Sequence, residues 1–141
     1  MNRVFLIMIA CCFFAANVFG QAPARAENPN APEISFEKIE HDFGTKPLNS
    51  DVEYEFTFTN TGKEPLIIQN CRATCGCTVP VCPNEKPVLP GEKGSIKVRY
   101  STTSYAHPFD RSFTVTTNAK NSSVTLKIKG VISQEAETAA K

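Results

Sequence analysis

Residues 52–60 read VEYEFTFTN, and apolar and polar side chains alternate strictly over residues 52–59. Successive side chains of a β-strand point to opposite faces, so this pattern is typical of a strand with one buried face and one face in water. The apolar face would carry Val52, Tyr54, Phe56 and Phe58. We therefore predict a half-buried strand here, and the rest of the chain is interpreted outward from it.

The same alternation recurs on both sides of this strand. It is seen at residues 34–37, 96–100, 112–116 and 124–129, and residues 66–68 form a shorter continuous apolar run. Turn-forming residues separate these segments, including Pro90-Gly91, where glycine suits a positive φ. We expect a loop at residues 107–109. About seven short strands with such spacing predict an all-β, immunoglobulin-like antiparallel sandwich.

The first 20 residues have the composition of an export signal. A positive start at Arg3 precedes an unbroken apolar run over residues 4–16, and Val18-Phe19-Gly20 places a small residue directly before a cleavage site. We expect this signal to direct export to the periplasm, the cell surface or the extracellular space, and we expect its cleavage after Gly20. Cys11, after Met8-Ile9-Ala10, offers lipid attachment as an alternative, but it would leave a very short apolar run before cleavage.

The signal segment sets the predicted domain organisation. Residues 1–20 are the signal peptide, residues 21–32 a Pro-rich linker, residues 33–132 the immunoglobulin-like domain and residues 133–141 a polar tail. No segment after the signal is long and apolar enough to suggest membrane insertion of the mature chain.

The charge balance bears on the class of partner. The chain has 15 basic and 14 acidic residues, and loss of residues 1–20 removes only Arg3, leaving 14 of each sign. A neutral mature protein has no electrostatic reason to bind nucleic acid. We expect no nucleic-acid partner.

Several motifs in order resemble a known family. They are Phe43-Gly44, the 56–62 segment FTFTNTG, Pro65-Leu66-Ile67-Ile68, Cys75-Gly76-Cys77-Thr78-Val79-Pro80, the 90–94 segment PGEKG and the 113–119 segment FTVTTNA. Together they resemble the bacterial domain-of-unknown-function family 1573, over about residues 34–132, and Cys-Gly-Cys-Thr is the specific part. The resemblance implies a cell-envelope protein with an immunoglobulin-like fold similar to the hydin and major-sperm-protein branch. It implies no activity, and Cys71 and Cys82 are additions to the usual pattern.

Four cysteines lie within twelve residues: Cys71, Cys75, Cys77 and Cys82. We consider three uses for them. Export to an oxidising compartment favours two structural disulfides, in any of three pairings. Cys75 and Cys77 on an ideal strand would be too far apart to bond, whereas a bend at Gly76 would allow a disulfide. The alternatives are a soft-metal site for copper or zinc, with Cys75 and Cys77 as candidate ligands, and thiol–disulfide exchange at the same pair.

No other constellation indicates catalysis. His41-Asp42 is interpreted as a polar pair at a strand edge rather than an acid–base dyad, and the chain has no phosphate-binding glycine loop or nucleophile elbow. We therefore expect a non-enzymatic envelope or surface module, without a cofactor, that binds an envelope protein or a glycan. The residues from Cys71 to Lys86 are the candidate surface.

Overall fold

The computed structural model describes residues 28–83, 86–101 and 103–134. These ranges contain eight strands: β1 (Ile34–Phe36), β2 (Glu40–Pro47), β3 (Val52–Asn60), β4 (Ile68–Ala73), β5 (Thr78–Val81), β6 (Lys93–Tyr100), β7 (His107–Thr117) and β8 (Ser123–Ser133). In this part of the chain there is no helix that is long and apolar enough to cross a membrane. The predicted signal peptide, residues 21–27 of the linker and residues 135–141 of the tail lie outside the described residues.

The strands form a two-sheet sandwich, which confirms the predicted all-β, immunoglobulin-like class. The first sheet has the order β1-β3-β6-β5, and the second has the order β2-β8-β7-β4. Neighbouring strands are antiparallel except for β2, which runs parallel to β8. The first sheet therefore has edges at β1 and β5, and the second has edges at β2 and β4.

Strands β2 and β5 are elements that strict alternation did not reveal, and the apolar run at residues 66–68 only meets the start of β4. Strand β2 has an irregular register. Its register with β8 slips between Asp42 and Thr45, where one extra residue is accommodated. Gly44 takes a φ of 62°, and its N–H donates to Asp42 Oδ1 at 2.8 Å. Such a bulge bends an edge strand and interrupts its pairing. Residues 107–109 were expected to form a loop but begin β7 instead.

The core lies between the two sheets. Phe56 of β3 and Phe113 of β7 meet across it, with ring centroids 5.8 Å apart in an edge-to-face arrangement. Buried apolar side chains from both sheets complete it: Ile34, Val52, Phe58, Leu66, Ile68, Ile96, Val98, Tyr100, Phe109, Val115, Leu126, Ile128 and Ile132. Removal of this surface from water is the main stabilising contribution to the sandwich.

Strands β4 and β5 place the cysteines. Each is an edge strand, one in each sheet, and the two contact each other on the same side of the sandwich. The chain therefore crosses from the second sheet to the first at residues 74–77. We call residues 71–82, which contain all four clustered cysteines, the crossing segment.

Candidate functional site: the cysteine-pinned crossing segment

A disulfide joins the two sheets at the crossing segment. Cys71 lies in β4, Cys82 follows the last residue of β5, and their Cα atoms are 6.0 Å apart in the Cys71–Cys82 bond. Both side chains are half-buried and pack against the core. This bond holds together two edges that no backbone ladder connects.

The second disulfide closes the shortest loop in the segment. Cys75 and Cys77 are bonded across Gly76, with their Cα atoms 5.3 Å apart. The separation is shorter than about 6.6 Å, the span of two residues in an extended strand. The chain bends here, and the Thr78 N–H donates to the Cys75 carbonyl at 3.3 Å. The structure thus selects one of the three pairings that the sequence left open.

This pairing bears on the soft-metal alternative. All four cysteines of the crossing segment are in disulfides, and a thiolate is required to bind copper or zinc. Among the described residues, no group of three or more His, Cys, Asp or Glu side chains is arranged to hold a metal ion. In this oxidised form Cys75 and Cys77 are therefore not available as metal ligands.

Ser101, which directly follows β6, supports the bent loop from one side. The Ser101 N–H donates to the Cys77 carbonyl at 2.9 Å, and the Ser101 hydroxyl donates to the same oxygen at 3.2 Å. Thr78 is 3% exposed, and its Oγ1 lies 3.6 Å from Cys75 Sγ. Since a sulfur in a disulfide carries no proton, the hydroxyl is the donor in this contact.

The structure also brings Tyr100 and His107 to this end of the sandwich, which the sequence analysis had not foreseen. Tyr100 is opposite Thr78 in the β5–β6 ladder and is almost fully buried. Its hydroxyl is 2.7 Å from His107 Nε2, and its ring stacks on Phe109 at 4.1 Å between centroids. Phe109 lies an even number of positions from Phe113 and Val115, so it shares their strand face, and this spacing was the signal that β7 extends this far.

Arg111 is a second residue that sequence reasoning missed. It shares the inward face of β7 with the buried residues Phe109 and Phe113, and its Nε is buried without a hydrogen-bond partner among the described residues. The backbone ladder between β4 and β7 ends with Thr74 N–H donating to the Ser112 carbonyl at 3.2 Å. Arg111 follows Asp110 in β7, and its Nη1 donates to the Asp110 carbonyl at 3.2 Å.

The outer face of β5 is apolar. Val79 is 38% exposed and Val81 is 58% exposed, and they pair across the strands with Arg99 and Lys97 of β6. We call these four residues the β5 face. Two aliphatic side chains next to two cations, on a strand held by a disulfide at its end, form a small amphipathic surface.

His41, by contrast, is a packing residue. Its ring stacks on Tyr54 with centroids 3.5 Å apart and meets Phe43 edge-on at 4.6 Å. Burial, followed by repulsion from Lys38, lowers the pKa of His41 below its usual value. The Asp42 carboxylate caps the bulge, because Asp42 Oδ1 accepts from the Gly44 N–H.

Comparison with known sequences gives the family. Residues 34–132 match the family described as "Protein of unknown function (DUF1573)". The chain belongs to the DUF1573 family. This confirms the resemblance based on Cys-Gly-Cys-Thr and its flanking strands. No curated protein matches the DUF1573 chain.

Solved structures similar to the DUF1573 chain share its fold at low sequence identity. A protein of unknown function from Porphyromonas gingivalis W83 has 13% identity and a TM-score of 0.62, over 77% of this chain and 51% of its own. The seventh PapD-like domain of human CEP192 has 7% identity and a TM-score of 0.57, over 82% of this chain and 96% of its own. The CupB2 chaperone of Pseudomonas aeruginosa has 12% identity and a TM-score of 0.50, over 75% of this chain and 60% of its own.

These likenesses concern architecture alone. The DUF1573 chain spans about half the length of the Porphyromonas protein. The PapD-like domain confirms the immunoglobulin-like arrangement of the two sheets. Any function of the DUF1573 chain has to be argued from its own surface and its cysteines.

Proposed function

We propose that the chain is an exported, non-enzymatic module of the cell envelope or cell surface that binds a protein partner through the β5 face. The observation that carries the proposal is the exposure of Val79 and Val81 on a strand that the crossing segment holds in place. Exposed aliphatic side chains on a rigid edge bind partners by losing water, without the cost of ordering a loop.

Charged residues lie next to these valines. Lys97 and Arg99 lie directly beside Val81 and Val79 on the outer face of the sheet. Glu55 and Glu53 lie opposite these two cations in the β3–β6 ladder, and a Glu53 carboxylate oxygen is 3.4 Å from the Lys97 ammonium. The cations are thus balanced by acids on the same face, and the valines are its binding element. We infer a protein partner with apolar side chains rather than a glycan, which aromatic platforms serve better.

Pro80 determines how such a partner would dock. The bond from Ser101 N–H to the Cys77 carbonyl sets the phase of the ladder, so that Thr78 and Pro80 turn their backbone groups away from β6. Proline has no N–H, and the free edge of β5 therefore lacks one of the donors that an added strand would need. Binding is accordingly through the side chains of the β5 face and not by strand addition.

The export and protein-binding parts of the proposal have supports of different kinds. Two disulfides are consistent with an oxidising compartment outside the cytoplasm. The CupB2 protein is described as a chaperone, and its shared fold supports, by architecture alone, a protein as the partner. The predicted signal peptide at residues 1–20 is the third support.

Site-specific crosslinking tests the proposal. A photo-crosslinking amino acid replaces Val81 in the full chain, expressed in its native cells, and the matched control carries it in place of Val131. Val131 is 41% exposed and lies on the opposite sheet. We expect one discrete protein adduct from position 81 that is absent from position 131. Adducts of equal yield from both positions, or an adduct to polysaccharide only, would reject the β5 face as a protein-binding surface.

A further inference from the structure

The two disulfides of the crossing segment differ in what they constrain. Cys71–Cys82 joins the two sheets and has a sequence separation of 11, whereas Cys75–Cys77 has a separation of 2. Closing so short a loop removes little freedom from the unfolded chain, since the entropy gained grows with loop length. The inter-sheet bond already performs the structural task. The Cys75–Cys77 bond therefore calls for another explanation.

The surroundings of the short loop are open on one side. Gly76 is exposed, and a Cβ built on it would meet no heavy atom of residues other than its chain neighbours within 4 Å, so the turn between the two cysteines faces solvent. Cys71, Cys77 and Cys82 pack against the core, whereas Cys75 contacts the hydroxyl of Thr78. Cys75 is partly exposed and Cys77 packs against the core, so we expect an incoming thiolate to reach Cys75.

One polar group near Cys75 favours its thiolate. The Thr78 hydroxyl, 3.6 Å from Cys75 Sγ, is buried and in place before any reaction. After reduction it would donate to a negatively charged sulfur, and such a bond lowers the pKa of a thiol.

We propose that Cys75–Cys77 is a redox-active disulfide that exchanges with a dithiol of another protein. A thiolate of that protein attacks Cys75 Sγ, the Cys75–Cys77 bond breaks, and Cys77 leaves as a thiolate that takes up a proton. The second thiolate of the protein then attacks its own sulfur in the mixed disulfide and releases Cys75 as a thiolate. The other protein is oxidised to a disulfide, Cys75 and Cys77 are reduced, and two electrons have moved.

This exchange is stoichiometric, so it agrees with a non-enzymatic module, and it does not depend on the β5 face. In the reverse direction Cys75 is the attacking thiolate and Cys77 resolves the mixed disulfide. Cys71–Cys82 remains intact throughout. The site therefore takes protein thiols or disulfides as its reactants.

Graded reduction of the full, oxidised chain is the first test. The protein is equilibrated with increasing ratios of reduced to oxidised glutathione, quenched by alkylation and analysed by peptide mass. We expect folded protein that is alkylated at Cys75 and Cys77 while Cys71–Cys82 is intact. Loss of both disulfides together, or of Cys71–Cys82 first, would overturn the proposal.

The reactivity of single thiols is the second test. Cys77→Ser leaves Cys75 free, Cys75→Ser leaves Cys77 free, and each is reacted with oxidised glutathione at neutral pH. We expect the Cys75 thiol to react faster than the Cys77 thiol. While both thiols are mostly protonated, the gain is about threefold for each unit by which the Cys75 pKa is the lower, because more thiolate is partly offset by weaker nucleophilicity. Equal rates would contradict the assignment of Cys75 as the attacking residue.

The role of Thr78 is examined in the Cys77→Ser background. Thr78→Val should shift the pH–rate profile of Cys75 to higher pH and slow the reaction about threefold, whereas Thr78→Ser should restore it. Thr74→Val is the matched control, since the Thr74 hydroxyl donates to the Ser112 carbonyl at 3.0 Å rather than to sulfur. A profile unchanged by Thr78→Val, or shifted equally by Thr74→Val, would remove Thr78 from the site. The graded reduction decides the main proposal even if a variant fails to fold.

Discussion

Asn60 shows how one side chain organises several backbone segments. It is fully buried at the end of β3, and its Nδ2 donates to the carbonyls of Glu64 at 2.8 Å and Val88 at 2.9 Å. Its Oδ1 accepts from the N–H groups of Gly62 at 3.0 Å and Glu33 at 3.4 Å. Buried backbone groups need partners, and this one amide supplies four of them.

Replacement of Asn60 should therefore be costly. We expect Asn60→Ala to lower the free energy of unfolding by about 3 kcal/mol, because it leaves several buried donors and acceptors without partners. Asn70→Ala, at an exposed position of β4, is the control and should change stability by less than about 0.5 kcal/mol. Urea denaturation measures both, and similar losses for the two variants would contradict the central place of Asn60.

Among the elements, alternation predicted the centres of the long strands, whereas it did not reveal β2 and β5 or the start of β7. Strands β3 and β6 pair over their whole length with their apolar faces inward, as alternation requires. Strand β2 reads EHDFGTKP, and its bulge at Gly44 breaks the period on which the prediction depends. Its parallel pairing with β8 is set by the second sheet as a whole and leaves no local signal.

Contact between β2 and β3 gives a pH-dependent prediction. His41 of β2 stacks on Tyr54 of β3, and burial lowers the pKa of His41 in the folded chain. The neutral ring is thus favoured on folding. Its contribution to stability is full above about pH 6.5, the pKa of an unfolded histidine, and is lost as the pH falls through the lower folded pKa. Lys38 and Lys46 act in the same direction, and Asp42 opposes them.

We expect the thermal unfolding midpoint of the wild-type chain to decrease as the pH is lowered from 7.5 to about 5.5. His41→Gln removes the titrating group, so the same pH change should shift its midpoint less. The two chains are compared by circular dichroism at constant ionic strength. Parallel pH profiles for the wild type and the variant would show that His41 does not contribute.

At the scale of the whole molecule, the disulfides have different weights. The sequence placed four cysteines together, but their pairing depends on Cys71 and Cys82 lying at facing edges of different sheets. Tyr100 and His107 reach the same end through ladders that span distant parts of the chain. Those long-range pairings are why the surroundings of the cysteines could not be predicted from local patterns.

Removal of each disulfide separates the two roles. We expect Cys71→Ser with Cys82→Ser to lower the free energy of unfolding by about 3 kcal/mol, and Cys75→Ser with Cys77→Ser by about 1.5 kcal/mol, from loop length alone. Loss of sulfur packing against the core adds to the first value. Urea unfolding of the two double variants gives the comparison. A larger loss for the Cys75 and Cys77 variant would assign the structural role to the short loop.

The connectivity of the four cysteines tests most directly the central claim, that one disulfide joins the sheets and the other closes Cys75-Gly76-Cys77. Non-reduced protein from its native source, with any free thiol blocked, is cut after Arg72 and after Val81. The structure predicts that peptide 73–81 is released with an internal disulfide, while the peptide with Cys71 stays joined to the peptide with Cys82. A peptide 73–81 that remains bonded to both of these neighbours, or that carries blocked thiols, would contradict the account.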